Sequence, residues 1–274
     1  MSRTAAARSS APSGRWPRPS SIAEAPRLGR CRVGTSGFAY PGWTPRFYPH
    51  GTADRDRLRA YATRLTAVEL NTTFYRRPSG ASVAAWVAAT PADFRFAVKA
   101  QRGAIPRAFA TGPEPGFPFL TDPYRGFGER LGAVLLRIPD VIRRDDARLR
   151  AVLRAWPADL PLAVELVDPS WDVDETYDSL ATAGASLVAT DRDDADAPAL
   201  RRLGGPLYLR LRRADYDEDA LGRWADRLEP FLSAGDDAFV FFAHDPVGRG
   251  AELALAFSRA LEARLPGTTR PGRT

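Results

Sequence analysis

Residues 29–265 repeat one pattern, in which a short apolar run is followed by a polar loop and an amphipathic stretch. Apolar runs of about four to eight residues predict buried strands, and the stretches between them predict helices. The predicted strands are 31–37, 67–74, 95–101, 133–139, 162–168, 186–192, 206–212 and 238–245. The predicted helices are 54–65, 79–89, 124–131, 146–155, 174–183, 197–203, 217–232 and 250–264. Strands that alternate with helices pair in parallel, so this pattern restricts the chain to the α/β class.

Eight such units predict a single-domain (β/α)8 TIM barrel, because residues 29–265 come close to the roughly 250 residues typical of that fold. A doubly wound open sheet is the alternative. Its glycine-rich phosphate turn is absent after the first strand, where Gly34-Thr35-Ser36-Gly37-Phe38 lacks the GxGxxG spacing. In a barrel, functional residues lie at the C-terminal ends of the strands. We expect four glycines to end helices in the left-handed conformation, namely Gly132, Gly184, Gly204 and Gly235.

The net charge of +6 belongs to the two ends of the chain, because residues 29–265 carry equal numbers of basic and acidic side chains. Residues 1–28 are rich in Ala, Ser, Pro and Arg and predict a disordered basic tail, with an organelle transit peptide as the alternative. We expect residues 266–274 to form a flexible tail. The neutral barrel needs no polyanion, but the tails leave nucleic acid open as a partner.

The single cysteine, Cys31, excludes an internal disulfide and agrees with a cytoplasmic location. No apolar run reaches the roughly 18 residues of a membrane-spanning helix, so we expect no membrane partner.

Three of the residue types that occur once in the chain lie close together at predicted strand ends: Asn71, Lys99 and Gln101. If residues 67–74 form one strand, Glu69, Asn71 and Thr73 point the same way. Lys99 is the single lysine among 39 basic residues, which indicates that a compact ammonium group is needed there. These residues predict a site at the ends of the second and third strands.

The remaining strand ends and the loops after them supply the other substrate-binding candidates. These are Ser36, Tyr40, Trp43, Tyr75, Arg137, Asp168, Trp171, Asp191, Arg210 and His244. Strand alternation places Arg210 and Arg212 on one side and Arg213 on the other, so two of these arginines, with Arg137, form a candidate phosphate site. Solvated surface arginines are the alternative.

Lys99, Glu69 and Glu165 form the predicted catalytic group, in which lysine stabilises an anion while a carboxylate moves a proton. The alternative is a salt bridge that ties strand ends together. No cofactor is predicted. A divalent-metal site from Glu69, Glu165, Asp191 and His244 is a further alternative, although no ligand pair has diagnostic spacing.

Four motifs resemble, in order, those of the YecE-like proteins, also called domain-of-unknown-function family 72. Residues 34–43 are similar to the family's GTSGWxYxxW, residues 68–78 to VEINSTFYRxP, residues 94–100 to FRFAVKA and residues 163–171 to AVEFRHPSW. Weaker similarities lie at 207–211 and 239–245. The resemblance covers about residues 31–262 and implies a TIM barrel without an established activity.

The chain departs from the family motifs mostly in the second half of the expected barrel mouth. The residues that differ there are Val167, Asp168, Arg212, Ala243 and His244. These departures indicate either a shifted choice of substrate or a partial loss of the family's chemistry. We expect an enzyme of hydrolase, lyase or isomerase type that acts on a small polar, phosphorylated or sugar-like molecule. A nucleic-acid-processing or nucleic-acid-binding barrel and a catalytically silent binding module are the alternatives.

Overall fold

A computed structural model describes residues 27–111 and 117–269. In these two ranges the strands are β1 Cys31–Ser36, β2 Ala67–Leu70, β3 Arg95–Lys99, β4 Leu131–Ile138, β5 Leu162–Leu166, β6 Ser186–Asp191, β7 Leu207–Leu211 and β8 Ala238–Phe242. The α-helices there are α1 Arg57–Ala62, α2 Thr72–Tyr75, α3 Gly80–Ala88, α4 Ala104–Thr111, α5 Phe117–Thr121, α6 Asp146–Ala155, α7 Asp174–Thr182, α8 Glu218–Ser233 and α9 Arg249–Arg264. Short 3-10 helices span Pro41–Trp43, Asp54–Asp56, Asp122–Arg130 and Pro169–Trp171.

The strands form a closed barrel in chain order, and every neighbouring pair is parallel, including β1 with β8. Two of the register pairs are Gly34 with Ala67 and Arg210 with Phe241. The predicted (β/α)8 barrel is therefore confirmed, and the open sheet is excluded.

Side chains alternate across each strand, as the parallel pairing requires. One face, with Val68 and Val240 among its members, packs in the large core that also includes the helices. The other face forms a separate buried cluster inside the barrel, with small side chains such as Ala97 on β2 to β5 and large rings such as Tyr208 and Phe241 on β7 and β8. The rings fill the space that the alanines leave, so the barrel has a solid interior beneath its C-terminal mouth.

The second strand is shorter than its apolar run predicts. It ends at Leu70, Asn71 has helical φ and ψ angles of −85° and −23°, and α2 begins at Thr72. The Thr73 hydroxyl lies 2.7 Å from the carbonyl oxygens of both Leu70 and Lys99, which fixes this helical turn against the end of β3. The expectation that Asn71 and Thr73 continue the alternation of Glu69 is therefore wrong.

Other differences concern helices. The predicted helix 197–203 is absent from the described chain between β6 and β7, where these residues have no regular secondary structure and Pro198 lacks the backbone N–H of a helical residue. Gly132 lies inside β4 rather than at a helix end, and Gly204 follows no helix. Gly184 and Gly235 do follow α7 and α8 with positive φ angles of 68° and 93°. Helices α4 and α5 lie in the segment 102–123, for which the sequence pattern predicts no element.

The predicted tails lie mostly outside the described residues, which exclude 1–26 and 270–274. In the described part of the C-terminal segment, Thr268 is buried and its carbonyl oxygen accepts a hydrogen bond from the Cys31 amide at 2.9 Å. Within the ranges that the structure covers, no helix is long and apolar enough to cross a membrane.

Candidate functional site

A cavity of about 530 Å³ opens at the C-terminal end of the barrel. Several of the predicted site residues line it together, namely Tyr40, Asn71, Tyr75, Lys99, Arg137, Glu165, Arg210 and His244. Arg212, a candidate phosphate ligand, lines it as well. The wall also holds residues that the predicted site does not include, namely Thr72, Phe74, Thr190, Arg192 and Ala243. Phe74 lines the wall because residues 72–75 form the helical turn α2. The predicted strand 67–74 does not indicate this position for Phe74.

Glu69 lies beneath this cavity and is fully buried. Its Oε1 atom accepts hydrogen bonds from the Ser36 hydroxyl at 2.7 Å, Arg210 Nη2 at 2.9 Å and Arg212 Nη2 at 2.8 Å. Its Oε2 atom accepts from the Tyr208 hydroxyl at 2.9 Å and Arg210 Nε at 3.0 Å. Both carboxylate oxygens are therefore saturated by donors from β1 and from β7 and the residue after it.

The charges around Glu69 keep it ionised. Burial alone would raise its pKa, but Arg210 and Arg212 outweigh burial and hold the pKa well below its usual range. A carboxylate with a depressed pKa and no access to the cavity is poorly suited to exchange protons with a ligand. Glu69 instead forms salt bridges with Arg210 and Arg212 at the β7 end, and not with Lys99. These contacts resemble the alternative interpretation, in which a salt bridge ties strand ends together.

Glu165 reaches the cavity from the end of β5, although only 2% of its surface is exposed. Arg210 Nη1 donates to both of its oxygens at 2.8 and 2.9 Å, and the Thr190 hydroxyl donates to Oε1 at 2.8 Å. Arg137 Nε lies 3.2 Å from Oε2. Burial would raise the pKa of Glu165, but Arg210 leads the effects that lower it overall. Arg210 thus bridges the two predicted catalytic carboxylates.

Lys99 is half-buried at the end of β3 and lines the cavity. Its Nζ atom lies 4.2 Å from the centroid of the Phe74 ring, a cation–π contact. Among the residues that the structure describes, the ammonium group has no carboxylate partner within 4.0 Å and donates no hydrogen bond. The ring favours the charged form, yet burial and then Arg210 lower the pKa of Lys99.

Positive charge is in excess around the cavity. The described part of the wall contains one acidic residue, Glu165, and Glu69 lies below it. The cations in the wall are Lys99, Arg137, Arg192, Arg210 and Arg212. An anionic group of a ligand would replace the hydration that these cations lose on burial. The electrostatics of the mouth therefore favour an anion.

The wall formed by the loops after β1 and β8 is aromatic. The rings of Tyr40 and His244 stack with their centroids 5.0 Å apart at 3°, and Tyr40 contacts Trp43 at 5.0 Å and 37°. Burial, followed by the charge of Arg212, lowers the pKa of His244 and favours the neutral imidazole at pH 7.

Two predicted binding residues, Ser36 and Thr73, support the site without lining the cavity. Both are buried, and their hydroxyls are used by Glu69 and by backbone carbonyls, respectively. Trp43 is buried behind Tyr40, where its indole Nε1 donates to the carbonyl oxygen of Asp245 at 2.8 Å. Gln101 lies beyond the end of β3 and does not line the cavity, because β3 ends at Lys99.

Three further candidates do not line this cavity. Asp168 and Trp171 follow the last residue of β5, and Asp191, the last residue of β6, alternates with Thr190, which does line it. Asp168 accepts a hydrogen bond from the Ser170 amide at 2.9 Å, and Trp171 is buried with its indole donating to the carbonyl of Ile142. Both residues line a neighbouring cavity of about 390 Å³, which shares Glu165, Thr190 and Arg192 with the first. Asp191 is buried on the outer side, where it accepts hydrogen bonds from Arg213 and Tyr216.

The four candidate metal ligands do not converge. Glu69 and Glu165 are bound to Arg210, and Asp191 is bound to Arg213. The part of the chain that the structure describes contains no cluster of three His, Cys, Asp or Glu side chains with the geometry of a metal site.

Comparison with known proteins gives consistent results. A family model described as "Protein of unknown function DUF72" matches residues 32–273. The UPF0759 protein YunF of Bacillus subtilis strain 168 is 32% identical over 142 residues, which span 47% of this chain and 50% of YunF. The match therefore covers about half the length of that relative.

Solved structures of similar fold include two DUF72 family proteins. The protein from Thermotoga maritima MSB8 has a TM-score of 0.68 and 25% identity, and the match covers 85% of this chain and 99% of that one. The protein from Enterococcus faecalis V583 has a TM-score of 0.68 and 20% identity, with 89% and 99% covered.

Proposed function

The chain belongs to the DUF72 family, and we propose that it is an enzyme that acts on a small polar, phosphorylated or sugar-like molecule in the barrel mouth. Hydrolase, lyase and isomerase reactions all agree with this proposal. The observation that carries it is Lys99, a half-buried lysine in the cavity wall whose ammonium group pairs with no carboxylate among the described residues. A buried charge without a partner costs free energy, which a bound anion would recover.

The arginines supply the fixed part of the proposed anion site. Arg137 and Arg210 are held by Glu165, and Arg210 and Arg212 are held by Glu69, so the guanidinium groups are oriented before a ligand arrives. Preorganised charges stabilise an anion without the cost of rearranging water or side chains. In this proposal Glu69 and Glu165 act by positioning arginines.

Lys99 is the proposed catalytic group. Its lowered pKa, caused by burial and by Arg210, eases the loss of a proton. A lysine that becomes neutral more readily can accept a proton from a substrate or attack a carbonyl carbon. Asn71 lies in the same wall and forms no side-chain hydrogen bond with the described residues, so its amide is free to bind a substrate hydroxyl.

A cytoplasmic location is part of the same proposal, and it rests on the single buried cysteine. Nucleic acid as a partner depends on the basic tails, which lie mostly outside the described residues, and stays a prediction. A silent binding module would share the anion site but would not turn over its ligand.

The proposal is tested by a thermal-shift screen of the full chain against sugar phosphates, carboxylates and matched neutral sugars. A ligand at 100 times its dissociation constant adds about 2.7 kcal/mol of stability. For a barrel of this size that shift corresponds to roughly 5–11 °C. We expect the phosphates to stabilise the protein and the neutral sugars to have little effect.

Two variants make the screen specific. Lys99→Met removes the unpaired ammonium, and Arg154→Met removes one charge from the exposed side of α6. The shift should shrink in Lys99→Met and persist in Arg154→Met. Ligands that stabilise the protein are then tested for turnover, which Lys99→Met should abolish. Equal shifts in both variants would contradict the assigned site, and binding without turnover would favour a silent module.

A further inference from the structure

The cavity has two chemically different walls. Its cations come from the β3, β4, β6 and β7 ends of the barrel, as Lys99, Arg137 and Arg210 illustrate. The β8 and β1 ends contribute the paired rings of His244 and Tyr40. An anion bound by the cations would therefore have a flat aromatic surface beside it.

The aromatic wall is the outer end of a stack that begins in the core. Trp43 is fully buried, Tyr40 is half-buried, and His244 is exposed at the cavity. In the described chain, His244 makes its single ring contact with Tyr40. The stack therefore ends with one imidazole face that carries no further ring.

This stack is held rigidly from below. The Tyr40 hydroxyl donates to the Ser36 carbonyl at 3.1 Å, and the Trp43 indole donates to the Asp245 carbonyl at 2.8 Å. The carboxylate of Asp245 accepts hydrogen bonds from the amides of Val247, Arg249 and Gly250, which fixes the loop after His244.

A glycine also makes room for the stack. Gly37 has a φ angle of 87°, and a Cβ there would lie 2.6 Å from the Tyr40 hydroxyl oxygen. A residue with a side chain at this position would move Tyr40 or its loop, so the local sequence is adapted to this placement of the ring.

The ring surface and the anion site are close enough for one ligand. Arg212 hydrogen-bonds to Glu69 at the base of the site, and its charge acts on both rings. Burial raises the pKa of Tyr40 and Arg212 opposes that rise, whereas burial lowers the pKa of His244 and Arg212 adds to the lowering. A cavity of about 530 Å³ falls within the range of roughly 300–1,000 Å³ typical of small-molecule sites.

We propose that the mouth selects anions that carry a planar aromatic ring, with the ring stacked on His244 and the anion on Lys99 and the arginines. This deepens the proposed function and rests on it. A nucleotide has this chemistry, because it joins a flat base to a phosphate, either as a free molecule or as the end of a nucleic-acid strand.

The experiment compares adenosine 5′-monophosphate with ribose 5-phosphate, which keeps the phosphate and lacks the base. Both are titrated calorimetrically into the full chain at one fixed salt concentration. Stacking of one base predicts that the nucleotide binds about 5- to 150-fold more tightly. The variants are His244→Ala, which removes the ring, and His244→Phe, which keeps one. His50→Ala is the matched control, because His50 is the other histidine and is exposed outside the cavity.

In His244→Ala the ratio of the two affinities should fall toward one, whereas His244→Phe and His50→Ala should retain the preference for the nucleotide. Equal affinities in the native protein, or an unchanged ratio in His244→Ala, would overturn the aromatic selection. If ribose 5-phosphate still binds and depends on Lys99, the proposed function survives that failure. If neither phosphate binds, the aromatic selection fails, and so does the phosphate site that the proposed function assigns to Lys99 and the arginines.

A 5′-phosphorylated tetranucleotide distinguishes the two sources of the shared chemistry. Tighter binding of the tetranucleotide, with the same dependence on His244, would support the proposal and assign the site to a strand end. Tighter binding of the mononucleotide would support it and assign the site to a free nucleotide.

Discussion

Glu69→Gln should destabilise the barrel strongly, because Glu69 is the buried counter-charge of two arginines. Glutamine keeps the volume of the side chain, so the change leaves no cavity and the loss is electrostatic. Arg210 retains Glu165 as a counter-charge, but Arg212 loses its one carboxylate partner among the described residues while 16% of its side chain is exposed. Removing one partner of a buried pair costs about 3–5 kcal/mol.

Guanidinium chloride unfolding at pH 7 measures this loss directly. For a domain of this size, the same loss lowers the melting temperature by roughly 6–20 °C. The matched control is Asp159→Asn, whose carboxylate also pairs with an arginine, Arg125, but is 57% exposed. An exposed pair is worth about 1 kcal/mol or less.

A double variant identifies the cause. If the unpaired charge of Arg212 is responsible, adding Arg212→Met to Glu69→Gln should restore at least about 1 kcal/mol of stability, a non-additive effect. A loss of less than about 1 kcal/mol in Glu69→Gln, equal to that of Asp159→Asn, would refute the reasoning.

Three further predictions follow from the same contacts. The folded pKa values of Glu69 and Glu165 lie below their unfolded value of about 4.3. The stability that these two carboxylates contribute should therefore be complete above about pH 5 and decline as the pH falls. An unfolding midpoint in guanidinium chloride that stays constant between pH 7 and pH 3 would contradict this. Thr73→Val should cost about 1 kcal/mol in chemical unfolding, because the hydroxyl that joins α2 to β3 is lost, and an unchanged stability would refute that role. Lys99→Met should be at least as stable as the native protein at pH 7. Burial lowers the lysine pKa, so charged Lys99 costs stability below its folded pKa, and this cost disappears as the pH rises toward about 10.4; a melting temperature below that of the native protein at pH 7 would contradict it.

The sequence predicts the barrel well because its signal is repeated along the chain. The first residues of β1, β2, β3, β5, β6 and β8 agree with the starts of the apolar runs. The strand ends agree less well, because a run continues past the last hydrogen bond to the neighbouring strand. Thr72 and Thr73 are β-branched and suit a strand, yet the hydrogen bond from Thr73 to the Lys99 carbonyl makes this segment helical.

The same limit explains the outcome for the site. Lys99 and Arg210 lie within strands, so alternation correctly places them at the mouth. Trp171 follows its strand by several residues and packs in the core instead. The pairing of Glu69 with arginines from the β7 end depends on contacts across the barrel, which alternation within single strands does not predict.

The measurement that tests the central claim most directly is the titration of ribose 5-phosphate into the native chain, Lys99→Met and Arg154→Met. If Lys99 is the free cation of an anion site, its loss removes a charged hydrogen bond worth about 1.5–3 kcal/mol and should weaken binding about 10- to 150-fold. Arg154→Met should bind like the native protein. Equal affinity in all three proteins, or no binding to the native chain, would contradict the claim that the barrel mouth recognises a phosphorylated ligand through Lys99.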